Sequence, residues 1–239
     1  MLPRALLPHL LPMLYLFASG AWAAGGRPMT TDDATLTNAR SCQVESYFQH
    51  AHRDGQLWLL PACNPTGNYE LTAGALLDAP ADAANALQYT LQGKWVWPQG
   101  MDTVNHFASI GASGGAFYLD TLHNGPSAWS SVFAYVPLTV RWTDTVQTHF
   151  NLGWNRDLLG EHDDLTYAAA LSHDLGNDYS VFVELYGVGR APPFAQSGGA
   201  VLLLQGSLQL DATFGRPINS SWRDSIFSVG IEWYPPAQW

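Results

Sequence analysis

Eight histidines and many serines make bases and nucleophiles available on this chain. His50 and His52 stand two apart, and His106, His123, His149 and His173 are scattered singly. None falls at the spacing of a known nucleophile–base arrangement, and no phosphate loop, zinc pattern or dinucleotide fingerprint is present. The sequence is therefore read as a non-enzyme with no metal and no cofactor. A lipid hydrolase is the lesser alternative. Glu161-His162-Asp163-Asp164 is an acidic cluster that could hold a divalent cation, but its ligand spacing is not distinctive and a solvated loop is the simpler reading.

The chemistry that does stand out is a sparse set of charges at alternate positions of apolar stretches. These are Glu45, Glu70, Lys94, Arg141, Glu184, Asp211 and Glu232. Five acids and two bases on one side of a low-dielectric wall must pair, hydrate or neutralise. They form either a salt-bridged, hydrated interior that stiffens the wall, or a filter that sets the charge preference of a pore. Lys94 is the one lysine in the chain.

The elements that hold these residues repeat with period two. Leu87–Trp97 sets Leu87, Tyr89, Leu91, Trp95 and Trp97 against Gln88, Thr90, Gln92 and Lys94. Val146–Asn155 sets Phe150, Leu152 and Trp154 against Gln147, His149 and Asn151. The same alternation recurs in 132–142, 208–214 and 227–233. It predicts twelve strands, at about 41–49, 56–62, 69–77, 86–97, 103–112, 129–142, 145–155, 165–175, 179–190, 199–205, 207–215 and 224–234. Reading 199–215 as one strand would lower that number. Short turns (64–68, 98–102, 143–145, 176–178, 206–207) alternate with longer polar loops (51–55, 78–85, 113–127, 156–164, 191–198, 217–224).

This is the pattern of an all-β, transmembrane, antiparallel up-and-down barrel with short periplasmic turns and longer outer loops. A soluble β-sandwich also alternates. Against it stand strands long enough to cross a bilayer, polar faces of small uncharged residues, and Trp97, Trp129, Trp142, Trp154, Trp222 and Trp233 at strand ends. The longest loop, 113–127, contains Phe117 and Tyr118 between Gly114-Gly115 and Gly125-Pro126. It is expected to fold into the mouth as an aromatic constriction, or to remain a surface loop.

Composition agrees with two faces. Charged residues make up 13% of the 239, against about 25% in a soluble domain, yet mean hydropathy is −0.05. The most apolar run after the N-terminus, Ala200–Leu204, is far too short for a membrane helix. A net charge of −10 repels phosphate backbones, so nucleic acid is not an expected partner. Residues 1–23 read as a secretory signal peptide, with Arg4, an apolar stretch and Ala21-Trp22-Ala23. Residues 24–40 follow as an N-terminal periplasmic segment, and 41–239 as the barrel. Export makes a disulfide between Cys42 and Cys63 the expectation, because folding at 52–55 sets them nearly opposite on adjacent strands.

Several motifs occur in a recognisable order: Arg27-Pro28-Met29-Thr30-Thr31-Asp32-Asp33-Ala34, Val136-Pro137-Leu138, His149-Phe150-Asn151-Leu152-Gly153-Trp154, Val183-Glu184-Leu185-Tyr186-Gly187, Leu208–Arg216 and Phe227–Trp233. The series resembles the bacterial outer-membrane barrels of the meta-pathway of phenol degradation. The resemblance implies an outer-membrane barrel that passes small, often aromatic, organic compounds. It supplies no catalytic residues, and the Cys42/Cys63 pair looks like a subgroup feature. The expected function is a passive channel or binding conduit for such solutes. A sealed structural barrel is the rival. Expected partners are outer-membrane lipid and lipopolysaccharide, the solutes, and the barrel assembly machinery.

Overall fold

The computed structural model describes residues 28–51, 54–81, 85–97, 109–122, 127–204 and 207–235. The expected signal peptide lies outside them, as do His52, His106, His123 and the terminal Trp239.

Alternating residues whose two faces want different surroundings form strands, and twelve such strands close here into one antiparallel barrel. In order they are β1 (Ser41–Ala51), β2 (Asp54–Asn64), β3 (Tyr69–Ala79), β4 (Ala86–Trp97), β5 (Ser109–Thr121), β6 (Ala128–Arg141), β7 (Val146–Asp157), β8 (His162–Gly176), β9 (Tyr179–Val188), β10 (Phe194–Leu203), β11 (Leu208–Pro217) and β12 (Ile226–Trp233). Each pairs with its sequence neighbours, and β12 returns to β1 through Val44↔Trp233 to Ala51↔Ile226. Closure leaves no unpaired edge, which lipid could not satisfy.

The faces separate as the alternation requires. Leu59, Leu71, Leu91, Leu152, Leu165 and Val183 are exposed on the outside. Gln43, Gln56, Thr72, Gln92, Thr139, Asn151 and Thr213 are buried on the inside. Trp97, Trp142 and Trp233 ring one rim, while Trp129, Trp154 and Trp222 lie toward the other, all outward and exposed. An apolar band between aromatic girdles is the surface of a barrel standing in lipid.

Strand boundaries differ from the sequence reading mainly at the long-loop rim. β5 runs to Thr121, β8 starts at His162 and β10 starts at Phe194. The connections expected at 113–127, 156–164 and 191–198 shrink to 122–127, 158–161 and 189–193. Glycines misled the reading of β5. Gly115 faces the lumen, and a Cβ there would lie 2.7 Å from the Phe133 ring. The glycine makes room for an aromatic ring inside a strand; it does not hinge a loop.

At the short-turn rim, Cys42 and Cys63 are direct cross-strand partners with Cα atoms 4.0 Å apart, and they form the disulfide. Their neighbours Val44 and Leu59 face outward, so the bridge lies on the outer side of the β1–β2 hairpin.

Candidate functional site

All seven ionisable residues expected inside are on the lumenal side. Glu45, Glu70, Lys94, Glu184, Asp211 and Glu232 are buried, and Arg141 is half-buried at the short-turn end of β6. They do not form one ring. Glu45 and Glu232 face each other across the β1–β12 seam, with Asp211 one strand further on β11. Like charges directly opposite destabilise a sheet. Here amide hydrogens soften the repulsion: Gln43 donates to Glu45 at 3.1 Å and Gln209 to Glu232 at 3.3 Å. Glu184 lies well away around the wall, on β9.

The lumen holds something the alternation does not announce. Residues 30–37 run back from the start of β1 into the barrel. Their polar atoms are met by side chains from β2, β3, β4, β6, β7 and β9. Arg40, at the reversal, takes a left-handed φ of 60°. Next to it, the Thr37 N–H donates to Glu70 at 2.8 Å, and Asn64 donates to the Thr37 carbonyl at 2.7 Å. The Thr37 hydroxyl donates to Gln43. Further in, the Ala34 N–H donates to Thr139 Oγ1 at 2.8 Å.

Asp32 is the centre of the arrangement. Its backbone N–H donates to Asn151 Oδ1 at 2.8 Å, and Asn151 Nδ2 donates back to its carbonyl at 2.7 Å. Asn151 thus pairs with this residue as a neighbouring strand would. The carboxylate receives Lys94 Nζ at 2.7 Å on Oδ1 and the Tyr135 hydroxyl at 2.7 Å on Oδ2. Both charged side chains are almost fully buried. A buried ion pair offsets its desolvation only with good geometry and further hydrogen bonds, and both conditions are met. Deepest in the lumen, Glu184 accepts from the N–H groups of Thr30 and Thr31, from the Thr31 hydroxyl at 2.7 Å, and from Gln196 at 3.0 Å. A residual cavity of about 200 Å³ lies beside the segment toward the short-turn rim, lined by Asp33, Thr35, Glu70, Lys94, Glu232 and Tyr234.

Toward the long-loop rim the lumen becomes apolar. Tyr47, Trp58, Leu60, Leu76, Phe117, Phe133 and Tyr135 pack into one buried cluster. Tyr47 stacks on Trp58 at 5.7 Å and Phe117 meets Phe133 at 5.4 Å. The expected loop constriction is corrected here. Phe117 and Tyr118 belong to β5, and successive strand residues point to opposite faces. Phe117 enters the lumen from the wall, whereas Tyr118 lies edge-on to the outward-facing Trp129 at 5.4 Å.

The remaining reactive residues have structural settings. His149 lies 3.0 Å from both Thr139 Oγ1 and Ser172 Oγ. Gly111-Ala112-Ser113-Gly114-Gly115 matches the letters of a nucleophile elbow, but it lies inside β5, not at a strand-to-helix turn. Asp163 of the acidic cluster pairs with Arg156 at 2.9 Å, and His162 lies 3.1 Å from Asp164. Among the described residues, no three potential metal ligands converge. The segment 30–37 escaped sequence reasoning because every partner is remote in the chain. The one available signal was a lone lysine on a strongly acidic inner face, which demanded a carboxylate.

Comparison with solved structures places the fold. The chain is similar to "KdgM porin in complex with disordered oligogalacturonate", with TM-score 0.61, 10% identity, and coverage of 80% of this chain and 98% of that one. It is likewise similar to the NanC porin, with TM-score 0.56, 8% identity, and coverage of 81% and 99%. At such identities the likeness establishes the porin barrel fold. No curated protein matches the sequence. The resemblance to the phenol meta-pathway barrels holds for the outer-membrane barrel fold but not for the family, because the matching family model is a different one. That model spans residues 13–232, and the chain belongs to its family, the Uncharacterised conserved protein UCP029691.

Proposed function

We propose that this chain is an outer-membrane channel for small organic solutes, closed at rest by its own N-terminal segment. One observation carries the reading. Residues 30–37 are held in the lumen by wall side chains, not by the strand ladder. The segment can leave without breaking a barrel hydrogen bond, and its departure would expose Lys94, Asn151, Glu184 and Thr139 to water. A purely structural element would more simply be an added strand or an apolar core.

The charge balance bears on the solute. Oligogalacturonate, named with the KdgM porin, is a polyanion. The lumen here carries Glu45, Glu70, Glu184, Asp211 and Glu232 against Lys94 and Arg141, so polyanions are repelled. The cluster around Trp58, Phe117 and Phe133 offers faces on which an aromatic solute can stack. Lipid and lipopolysaccharide surround the apolar band, and barrel assembly machinery inserts the chain.

Planar-bilayer recording tests the proposal. The wild-type chain is expected to be mostly closed, and Glu184→Gln or Asp32→Ala to raise the open probability. Unchanged current in both would refute the gated channel. A sealed barrel is the second reading, favoured by the apolar cluster of the upper lumen. It predicts that both variants stay impermeable in liposome swelling with aromatic acids and sugars alike.

A further inference from the structure

The contacts that hold residues 30–37 read features that any extended peptide displays. Glu184, Asn151, Thr139 and Glu70 accept main-chain N–H groups at Thr30, Thr31, Asp32, Ala34 and Thr37. Asn151 and Asn64 donate to main-chain carbonyls at Asp32 and Thr37. A side chain's charge is gripped directly at one point: Lys94 Nζ and the Tyr135 hydroxyl hold the Asp32 carboxylate, each at 2.7 Å, while Asp33 lies further from the same ammonium, at 3.7 Å. Acceptors for amide hydrogens, donors for amide oxygens and a cationic clamp for one carboxylate together make a peptide-recognition site.

We propose that the lumen is a binding site for an extended, amide-bearing chain carrying a single clamped carboxylate. The N-terminal segment is its tethered occupant, and a free ligand of the same chemistry competes for it. This rests on the reading of the segment as a removable plug and names the class of solute that removes it. Tethering gives the segment an effective concentration in the millimolar range, so a free ligand must exceed that or meet a weakened segment. Binding by the free ligand and release of the segment are linked reciprocally. A solute of this class therefore opens the passage it enters.

The test uses the full chain in detergent micelles. The probe is a fluorescent peptide of residues 28–37, Pro-Met-Thr-Thr-Asp-Asp-Ala-Thr-Leu-Thr, followed by anisotropy. The receptor is the Asp32→Ala chain, whose own segment has lost the clamp while Lys94 remains. Retained heat-modifiable migration confirms folding, and Ala34→Pro, which removes the segment's own N–H bond to Thr139 and leaves the wall intact, serves if that variant is unfolded. Saturable binding is expected, weakened about tenfold to a hundredfold when the peptide carries Asn in place of its first Asp. Adding Lys94→Met to the receptor should produce a similar loss. No saturable binding overturns the inference, and so does equal binding of a peptide with the same residues in reversed order. The channel reading fails separately, if the peptide binds and no variant conducts.

Discussion

Replacing Lys94 with Met keeps the aliphatic stem and removes the ammonium. In the native lumen that group lies 2.7 Å from Asp32 Oδ1, 3.3 Å from the Asp33 carbonyl and 3.7 Å from Asp33 Oδ1. After substitution the buried Asp32 carboxylate keeps the Tyr135 hydroxyl at 2.7 Å. Breaking a buried pair by removing one partner costs about 3–5 kcal/mol. That remaining donor favours the lower figure. About 3 kcal/mol lost from the closed state alone shifts the closed-to-open ratio by on the order of a hundredfold. Single-channel recording of Lys94→Met should therefore show a large rise in open probability. Lys94→Met/Asp32→Asn should fall back toward wild type, because no carboxylate is then stranded, and this non-additivity is the signature of a direct pair. An open probability unchanged by Lys94→Met would refute the reasoning, as would strictly additive effects in the double variant.

Other outcomes follow from the same geometry. Asn151→Leu removes the paired backbone contacts to Asp32, and segment residues should then become accessible to proteases in intact vesicles. Cys42→Ala/Cys63→Ala opens a crosslink spanning 21 residues, and should cost about 3 kcal/mol in reversible unfolding from bilayers while leaving channel closure intact. Leu91→Arg puts a charge on the apolar outer face midway along β4, where Leu91 is 61% exposed. It should cost about 2–4 kcal/mol in the same unfolding measurement, whereas Gln92→Arg, facing inward, should cost less.

The wall was legible because its signal is local. Leu87–Trp97 states its two faces within eleven residues, and the structure assigns them as the period demands. The disulfide was legible for a related reason, since β1 and β2 are consecutive strands only two residues apart, and their register, from Ala51↔Asp54 onward, sets Cys42 opposite Cys63. β5 was harder. Its Gly114-Gly115 looks like a hinge until the Phe133 ring, contributed by the next strand, explains the missing side chain. The segment before β1 was legible as a distinct stretch, read as periplasmic, but its place inside the lumen was not. Thr30-Thr31-Asp32-Asp33 has no period, and its partner Glu184 is more than 150 residues away. The charges themselves could be placed inside from parity. Their sorting into a Lys94–Asp32 clamp, a Glu184 acceptor and a Glu45–Glu232 seam depends on strand neighbours and on a segment outside the sheet.

The seam between β1 and β12 has a consequence for the order of assembly. The segment that occupies the lumen is continuous with β1, the first strand, and its contacts extend as far round the wall as β9. Those contacts exist only when most of the wall has already been laid down. Once Glu45 meets Glu232 and the last pairing is made, no lateral route inward remains. The N-terminal end must then already lie on the inner side as the growing sheet curls, or thread through the short-turn mouth afterwards. In the first case, a bulky fusion at the N-terminus would block closure itself. In the second, it would yield a finished barrel with an empty lumen.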